Sequence, residues 1–321
     1  MNRSLATAFA VLIASVAAAS AQSYPDRPIK VVVPYPAGGP TDTIARTVTQ
    51  SLSTALGQSI VIENQSGAGG RIALKQVAHA APDGYTLLLG GTNNNAITPA
   101  LYKDLDFDAV KDFAPVAALA IDLLAVVVHP SVPVNTLAEL SAYARANPGK
   151  LSSGGGVGIS PHFLLEFIRV KSGANIVFVP YKGAAPALID AIAGQIQIHS
   201  TAKSVLLPQI KGGKLRALAV QGDKRWPELP DVPTLSQAGF DGFPSAIWYG
   251  FLAPAKTPPA VIAKLNAAVE QQLKSDEVKA AFAKLGLDGQ SLAPQEFGAV
   301  LVKERELWAA LAQQTGIKLA D

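Results

Sequence analysis

Three glycine-rich segments could bind an anion, because each follows a β-branched run and precedes a predicted helix. They cover residues 35–41, 90–95 and 153–160. Glycine has no Cβ atom, so a ligand can reach the main-chain amides beside it. A helix start adds unpaired amide hydrogens and roughly half a positive charge. Two such starts facing each other could hold both ends of a dicarboxylate without a salt bridge, although glycine-rich turns are also ordinary connectors.

Groups suited to catalysis or metal binding are sparse in the chain. The sequence contains no cysteine, which excludes thiol nucleophiles, disulfides and iron–sulfur clusters. Its four histidines are scattered, and it has no His-Glu-x-x-His motif, phosphate loop or Gly-x-Ser-x-Gly elbow. The glycines at 154–158 miss the dinucleotide-binding spacing, because Ile159 stands where the third glycine is needed. We therefore predict no catalytic residue, no metal site and no cofactor.

The elements that position these segments alternate between β-branched strands and amphipathic helices, a pattern typical of parallel α/β sheets. Residues 29–33 are continuously apolar, as expected of a strand covered on both faces. The helix after them has an apolar residue at every fourth position from Ile44 to Leu56. The same alternation recurs between residues 137 and 220. Helices predicted over 258–313 have no strands between them and are expected to pack on the first sheet.

Length and composition predict an exported protein of two domains. Hydrophobic residues make up 49% of the chain and charged residues 16%, which is enough apolar surface for sizeable cores. A net charge of +3 does not indicate nucleic-acid binding. Residues 1–21 combine a basic start, an apolar run and a small-residue cleavage site, which is typical of a signal peptide. We assign residues 22–122 and 250–321 to domain 1 and residues 123–249 to domain 2.

Several motifs, in order along nearly the whole mature chain, resemble the Bug family, the extracytoplasmic solute receptors of tripartite tricarboxylate transporters. They are Pro34-Tyr35-Pro36-Ala37-Gly38-Gly39-Pro40-Thr41-Asp42, Gly67-Ala68-Gly69-Gly70, Ala81-Pro82-Asp83-Gly84-Tyr85-Thr86, Pro180-Tyr181-Lys182-Gly183, Gly212-Gly213-Lys214-Leu215-Arg216-Ala217-Leu218-Ala219 and Leu229-Pro230-Asp231-Val232-Pro233-Thr234. The resemblance implies a type 2 periplasmic-binding-protein fold, in which two crossing strands join two α/β domains. It also implies an organic-acid ligand in the cleft, often held through backbone amides and bridging waters.

The resemblance assigns ligand-binding positions to both domains. The first domain would contribute Tyr35, Ala37, Gly38, Gly39, Thr41, Asp42, Thr92 and Asn93. The second would contribute Ser153, Gly154, Gly156, Val157 and His162. The residue types favour helix capping as the main role of Asp42, and a neutral donor or packed ring for His162. Trp248 and Tyr249 are expected to pack at the hinge.

One departure from the family bears on the ligand. After Gly194-Gln195-Ile196 the family often has an aspartate and, four residues later, a second one, whereas this chain has Gln197 and Thr201. In relatives that bind amino acids, the second aspartate lies at the cleft, where a carboxylate can pair with an ammonium group. The neutral hydroxyl of Thr201 argues for a purely anionic or aromatic acid, unless this residue merely packs at a strand end.

These observations predict a monomeric periplasmic binding protein for a small organic carboxylate, either aromatic or an aliphatic di- or tricarboxylate. Domain closure would capture the ligand, and membrane transporter subunits would receive it. One alternative is a secreted hydrolase or lyase that uses the same cleft, which would need a nucleophile with an adjacent base. Another is a receptor that signals to a membrane sensor.

Overall fold

The computed structural model describes residues 24–102 and 104–317. The predicted signal peptide, residues 1–21, lies outside this part of the chain. The strands in it are β1 (Ile29–Val33), β2 (Ile60–Asn64), β3 (Thr86–Gly91), β4 (Phe113–Asp122), β5 (Leu124–Val128), β6 (Leu151–Gly156), β7 (Ile176–Tyr181), β8 (Ile198–Ala202), β9 (Arg216–Val220), β10 (Ile247–Pro254) and β11 (Asp288–Gly289).

The helices alternate with these strands in each half of the chain. They are α1 (Pro40–Leu56), α2 (Arg71–Ala78), α3 (Thr98–Leu101), α4 (Leu137–Ala146), α5 (Ser160–Ser172), α6 (Ala184–Ile192), α7 (Lys203–Lys211), α8 (Pro259–Leu273), α9 (Asp276–Lys284) and α10 (Pro294–Thr315). A short 3₁₀ helix, Ala68–Gly70, precedes α2, and a π-helix, Thr92–Ile97, precedes α3. Over residues 24–102 and 104–317, no helix has both the length and the apolar character needed to cross a bilayer.

The strands form two sheets, one of six strands in the order β11-β4-β10-β3-β1-β2 and one of five in the order β7-β6-β8-β5-β9. β1 runs parallel to β2 and β3, and β6 runs parallel to β7 and β8. β10 is antiparallel to β3 and β4, and β5 is antiparallel to β8 and β9. Both sheets are therefore mixed. Each contains parallel pairs, and the antiparallel pairs include those of β10 in the first sheet and β5 in the second, the strands that adjoin the connections between the sheets.

The chain passes between the two sheets twice. β4 ends at Asp122 in the first sheet, and β5 begins at Leu124 in the second, so only Leu123 separates them. The return follows β9 through residues 221–246 to β10 in the first sheet. The observed fold, two α/β domains joined by two connections, is of the class predicted from the sequence. The boundary that we predict between residues 249 and 250 falls within β10, all of which pairs with the first sheet.

The terminal helices pack on the first sheet, but the last of them also reaches the second domain. α8 and α10 contact β4, and α10 also contacts α5. Trp308 of α10 is fully buried and meets Phe163 of α5 edge to face, with ring centroids 5.3 Å apart. The expectation of packing on the first sheet alone is thus incomplete for α10, because its apolar residues bury against both domains.

Two of the three glycine segments are more regular than the connectors that the sequence suggests. Gly90 and Gly91 are the end of β3, and Gly154–Gly156 are the end of β6. The reason at Gly154 is close packing, since a Cβ atom there would lie 2.6 Å from the Tyr181 ring. Gly90 and Gly154 thus allow their strands to continue where a Cβ atom would collide with a neighbouring side chain.

Candidate functional site

A small, partly open cavity lies where the first sheet meets the π-helix and β10, and its volume of about 200 Å³ includes open solvent. Three elements of the first domain supply its walls: the segment from β1 to the start of α1, the end of β3 with the π-helix, and β10. The lining residues are Tyr35, Thr41, Gly91, Thr92, Asn93, Asn94, Ile247 and Tyr249. Four of them, Tyr35, Thr41, Thr92 and Asn93, are among the residues predicted from sequence.

The buried carboxylate of Asp42 fixes the loop that carries Tyr35. The Gly38 amide donates to Asp42 Oδ2 at 2.8 Å, and Asn64 Nδ2 donates both to Asp42 Oδ1 and to the Tyr35 carbonyl oxygen, each at 3.0 Å. Arg46 Nε and Nη2 complete a fork on the two carboxylate oxygens at 2.8 and 3.0 Å. These bonds, foremost those from Arg46, lower the pKa of Asp42 to about 2. Asp42 therefore positions the loop and keeps its charge compensated.

Gly38 is the position in this loop that requires glycine. Its φ of +81° lies in the left-handed region, which costs a residue with a Cβ atom about 1 kcal/mol or more. Ala37 and Gly38 are exposed, and Gly39 is half-buried at the N-terminal boundary of α1. The residues predicted in this loop thus form a rim beside Tyr35 rather than part of the cavity wall.

Two phenols in the cavity wall are held in their neutral form. Burial raises the pKa of Tyr35 and of Tyr249 above the ordinary range, and the nearby Asp122 raises that of Tyr249 further. A neutral phenol can donate its proton in a hydrogen bond. None of the eight lining residues carries a charged side chain. The cavity therefore offers hydroxyl and amide donors, and no cation, to an anionic guest.

Asn94 adds a donor without a protein partner. Its side chain is buried, and its Nδ2 has no hydrogen-bond partner among residues 24–102 and 104–317. The neighbouring Thr92 is already engaged, since its Oγ1 accepts the Trp248 amide at 3.0 Å. A buried amide left unpaired costs about 1–3 kcal/mol, so a ligand that accepts from it gains correspondingly. In the sequence, the run of three asparagines at residues 93–95 indicates a polar segment near the cleft, but it does not identify Asn94 as the residue with the unpaired donor.

Ile247 and Tyr249 are the lining residues on β10, and sequence reasoning assigned Tyr249 to hinge packing. They lie on one face of the strand, two positions apart, while Trp248 faces the opposite side and packs against the Phe297 ring at 5.1 Å. The predicted hinge packing of Tyr249 is thus incomplete. Side chains alternate between the two faces of the strand, and this alternation places Tyr249 on the face that lines the cavity. Only the pairing of β10 with β3 brings this strand to the site.

The second-domain residues predicted from sequence are not part of the cavity wall. Ser153, Gly154 and Gly156 are buried within β6, and the Gly154 carbonyl oxygen accepts from His199 Nδ1 at 2.8 Å. Val157, in contrast, has 42% of its surface exposed at the end of that strand. These residues do not line this cavity, and their contact with ligand stays a prediction.

His162 is a neutral ring in the first turn of α5. Burial lowers its pKa to about 4, so the ring is uncharged near neutral pH. The Gly158 amide donates to Nδ1 at 3.1 Å, which leaves the ring proton on Nε2. The ring stacks on Phe178 with centroids 3.9 Å apart. The expected neutral state agrees with this geometry, whereas a cationic ligand contact does not.

Thr201 is buried near the end of β8. It pairs with Ala125 of β5, and the Ala125 side chain belongs to the core that includes Ala187 of α6 and Leu206 of α7. Thr201 is not part of the cavity wall described above. Its influence on the choice of ligand stays a prediction.

One hydrogen bond links the cavity wall to the second domain. Asn93 Oδ1 accepts from the Ser160 amide, the first residue of α5, at 3.0 Å. Because Asn93 lines the cavity and Ser160 begins a helix of the second domain, the cavity lies directly beside the contact between domains.

Two α/β domains, two connections between their sheets and a cavity next to the domain contact define a two-domain periplasmic-binding-protein fold. The family model described as "Tripartite tricarboxylate transporter family receptor" matches residues 44–317. The chain belongs to this family of solute receptors, and the resemblance stated from the sequence motifs is confirmed.

Relatives and solved structures agree with this assignment. Protein BugT of Bordetella pertussis is 34% identical over 302 residues, which cover 94% of this chain and 93% of BugT. The structure "R. palustris Rpa4515 with adipate" is 34% identical with a TM-score of 0.81, and the match covers 92% of this chain and 99% of that one. MatC from Rhodopseudomonas palustris, with bound malate, is 34% identical with a TM-score of 0.78, covering 90% and 99% respectively.

Proposed function

We propose that this protein captures a small dicarboxylate in the periplasm by domain closure and delivers it to the membrane subunits of a tripartite tricarboxylate-type transporter. The observation that carries the proposal is the uncharged cavity wall, which presents donors from Tyr35, Tyr249 and Asn94. Two relatives of the same fold contain adipate and malate, which are both aliphatic dicarboxylates. These two relatives and the neutral donors support a dicarboxylate as the ligand class.

Neutral donors are sufficient for useful affinity. A hydrogen bond to a charged group contributes about 1.5–3 kcal/mol, and a micromolar dissociation constant corresponds to about −8 kcal/mol. Three to five such bonds to two carboxylates therefore reach that range, with bridging waters as further partners. Closure follows if the ligand binds the closed form more tightly than the open form.

We favour ligand binding without catalysis over an enzymatic activity. A hydrolase or lyase needs a nucleophile with an adjacent base, and the cavity wall contains neither His, Asp, Glu, Lys nor Cys. A purely sensory receptor would use the same cavity, but membership in a transporter receptor family favours delivery to a transporter. We also propose that the signal-like residues 1–21 direct export and that the protein acts as a monomer.

The test is a ligand screen on the chain purified after export. Thermal shift and calorimetry would compare aliphatic dicarboxylates with tricarboxylates, aromatic acids, monocarboxylates and amino acids, because a ligand of the folded state raises the melting temperature. We expect stabilisation by dicarboxylates. Stabilisation by amino acids alone would contradict the dicarboxylate assignment, and turnover of a bound acid would favour the enzyme.

Two neighbouring asparagines provide a matched pair of variants. Asn94→Ala removes a donor that has no partner among the residues the structure describes, so it should weaken ligand binding about tenfold and leave the ligand-free melting temperature nearly unchanged. Asn95→Ala removes an acceptor that the Gly91 amide uses at 3.2 Å, so it should lower stability instead. Unchanged affinity in Asn94→Ala would remove Asn94 from the site.

A further inference from the structure

A second buried carboxyl group, that of Asp122, lacks the hydrogen bonds that support Asp42. Asp122 is the last residue of β4 and is only 5% exposed. Among the described residues, its carboxyl accepts one hydrogen bond, from the Leu123 amide at 2.8 Å. The carboxylate of Asp42, in contrast, accepts from an arginine, an asparagine and a main-chain amide. Burial with so few donors favours the neutral acid over the carboxylate.

The strand register places Asp122 next to the ligand cavity. Asp122 is paired with Ile247 in the antiparallel arrangement of β4 and β10. Directly opposed residues have their side chains on the same face of a sheet, with Cβ atoms about 4.5–5.5 Å apart. Ile247 and Tyr249 line the cavity from that face. The charge of Asp122 also raises the pKa of the Tyr249 phenol, so the carboxyl lies within electrostatic range of the cavity wall.

The other groups around Asp122 leave its charge uncompensated. From β10 it faces only the neutral phenol of Tyr249. From β11, Asp288 raises the pKa of Asp122, whereas Lys203 of α7 lowers it. The Lys203 ammonium group is already paired with Glu228 at 3.1 Å. Burial has the largest effect and raises the pKa of Asp122 to about 7, so the carboxyl exchanges its proton near neutral pH.

An anion in the cavity repels ionised Asp122 but not the neutral acid. Two unit charges about 10 Å apart, at an effective dielectric constant of about 20, shift a pKa by about one unit. Linkage is reciprocal, so protonation of Asp122 strengthens binding by the same factor by which binding strengthens protonation. The cavity wall, β4 and β10 belong to the first domain. This coupling therefore requires no movement of the domains.

We propose that this receptor takes up a proton together with its dicarboxylate, and that the carboxyl group of Asp122, opposite Ile247 in the strand pair, holds that proton. This inference rests on the proposed capture of a carboxylate. The proton comes from the solvent and returns to it when the acid is released. Asp122 acts through its charge rather than by contact with the ligand. Capture is consequently strongest at acidic pH and weakens as the pH rises through neutrality.

Calorimetry can count the proton. The binding enthalpy of adipate, and of malate, would be measured at pH 7.5 in HEPES and in Tris, and its dependence on the ionisation enthalpy of the buffer gives the number of protons taken up. Carboxyl groups in water are already ionised at this pH, so the ligand supplies none. We expect uptake of roughly half a proton per ligand at pH 7.5, and an affinity about tenfold higher at pH 6 than at pH 9.

Two variants assign the proton to its site. Asp122→Asn removes the titrating group and keeps the oxygen that accepts from the Leu123 amide. It should bind without proton uptake, and its affinity should change less than about twofold between pH 6 and 9. Asp288→Asn is the matched control, because it removes an exposed charge near Asp122 and leaves the proton site intact. Its proton uptake should persist, with the maximum moved to lower pH.

Three results would overturn the proposal. They are binding by the unsubstituted chain without proton uptake, equal uptake in Asp122→Asn, and loss of uptake in Asp288→Asn at every pH from 5.5 to 8. The titration of Asp122→Asn is interpretable if urea unfolding shows the variant folded across this range. Failure of adipate, malate and every other acid of the screen to bind the unsubstituted chain would refute the proposed function instead.

Discussion

Replacement of Asp42 by asparagine should destabilise the protein and weaken ligand binding, although it removes a negative charge near an anion site. The Asp42 carboxylate is only 1% exposed and accepts bonds from Gly38, Asn64 and Arg46. A pKa lowered from 3.8 to about 2 corresponds to about 2.4 kcal/mol at 1.36 kcal/mol per pH unit. Because Arg46 is mostly exposed and solvent screens it, we expect about 1–2 kcal/mol.

The pH dependence gives this prediction its sharpest form. The pKa of Asp42 is lower in the folded state than in the unfolded state, so its contribution is complete above about pH 4 and is lost as the pH falls toward 2. Urea unfolding at pH 7 should show Asp42→Asn less stable by about 1–2 kcal/mol, and the difference should shrink between pH 4 and 2. Calorimetry should show weaker dicarboxylate binding, because the loop that carries Tyr35 loses its support. Tighter binding in Asp42→Asn would refute this reasoning, since it would mean that the Asp42 charge faces the ligand uncompensated.

Three further predictions test other parts of the structure. Burial, with the nearby Asp288 adding to it, raises the pKa of Asp122 to about 7, so wild-type stability should fall as the pH rises from about 4 to 7. Asp122→Asn should abolish this loss and be roughly 2–4 kcal/mol more stable at pH 8 by urea unfolding, whereas a flat wild-type profile would contradict the assignment. Gly154→Ala places its Cβ atom 2.6 Å from the Tyr181 ring and should cost about 1–3 kcal/mol; Gly155→Ala, with no atom within 4 Å, should cost less, and equal losses would argue against the packing account. His162 has a pKa of about 4, so calorimetry of wild type and His162→Phe should show the same pH dependence of ligand affinity from pH 8 to 5.5.

The parts of the site that sequence predicts best are those that follow directly from strand ends. Tyr35 and Thr92 come after β1 and β3, which are neighbours in a parallel arrangement, so their proximity follows from the alternating pattern. Ile247 and Tyr249 reach the cavity through the antiparallel pairing of β10 with β3, across more than 150 residues of chain. No local pattern contains that pairing, which explains why sequence reasoning left β10 out of the site.

Hydrogen-bond partners were also beyond the sequence. The helix-cap interpretation of Asp42 was wrong, because α1 begins at Pro40 and its N-cap is Gly39, without a side-chain capping bond. The bonds of Asp42 to Asn64 and Arg46 depend on the register of β1 with β2 and on the turn of α1. The glycines of β6 were predicted to form a loop between a strand and a helix, because composition does not show that Tyr181 fills the space beside Gly154. Local signals predicted the elements, while contacts between elements decided what each polar residue does.

The most direct test of the account is a crystal structure of the exported chain with the acid that stabilises it most. We predict a carboxylate in the cavity beside Tyr35, Tyr249 and Asn94, with its oxygens about 3 Å from main-chain amides, hydroxyl groups or side-chain amides, directly or through one water. A ligand bound outside this cavity, or one whose carboxylates contact only lysine and arginine side chains, would contradict it.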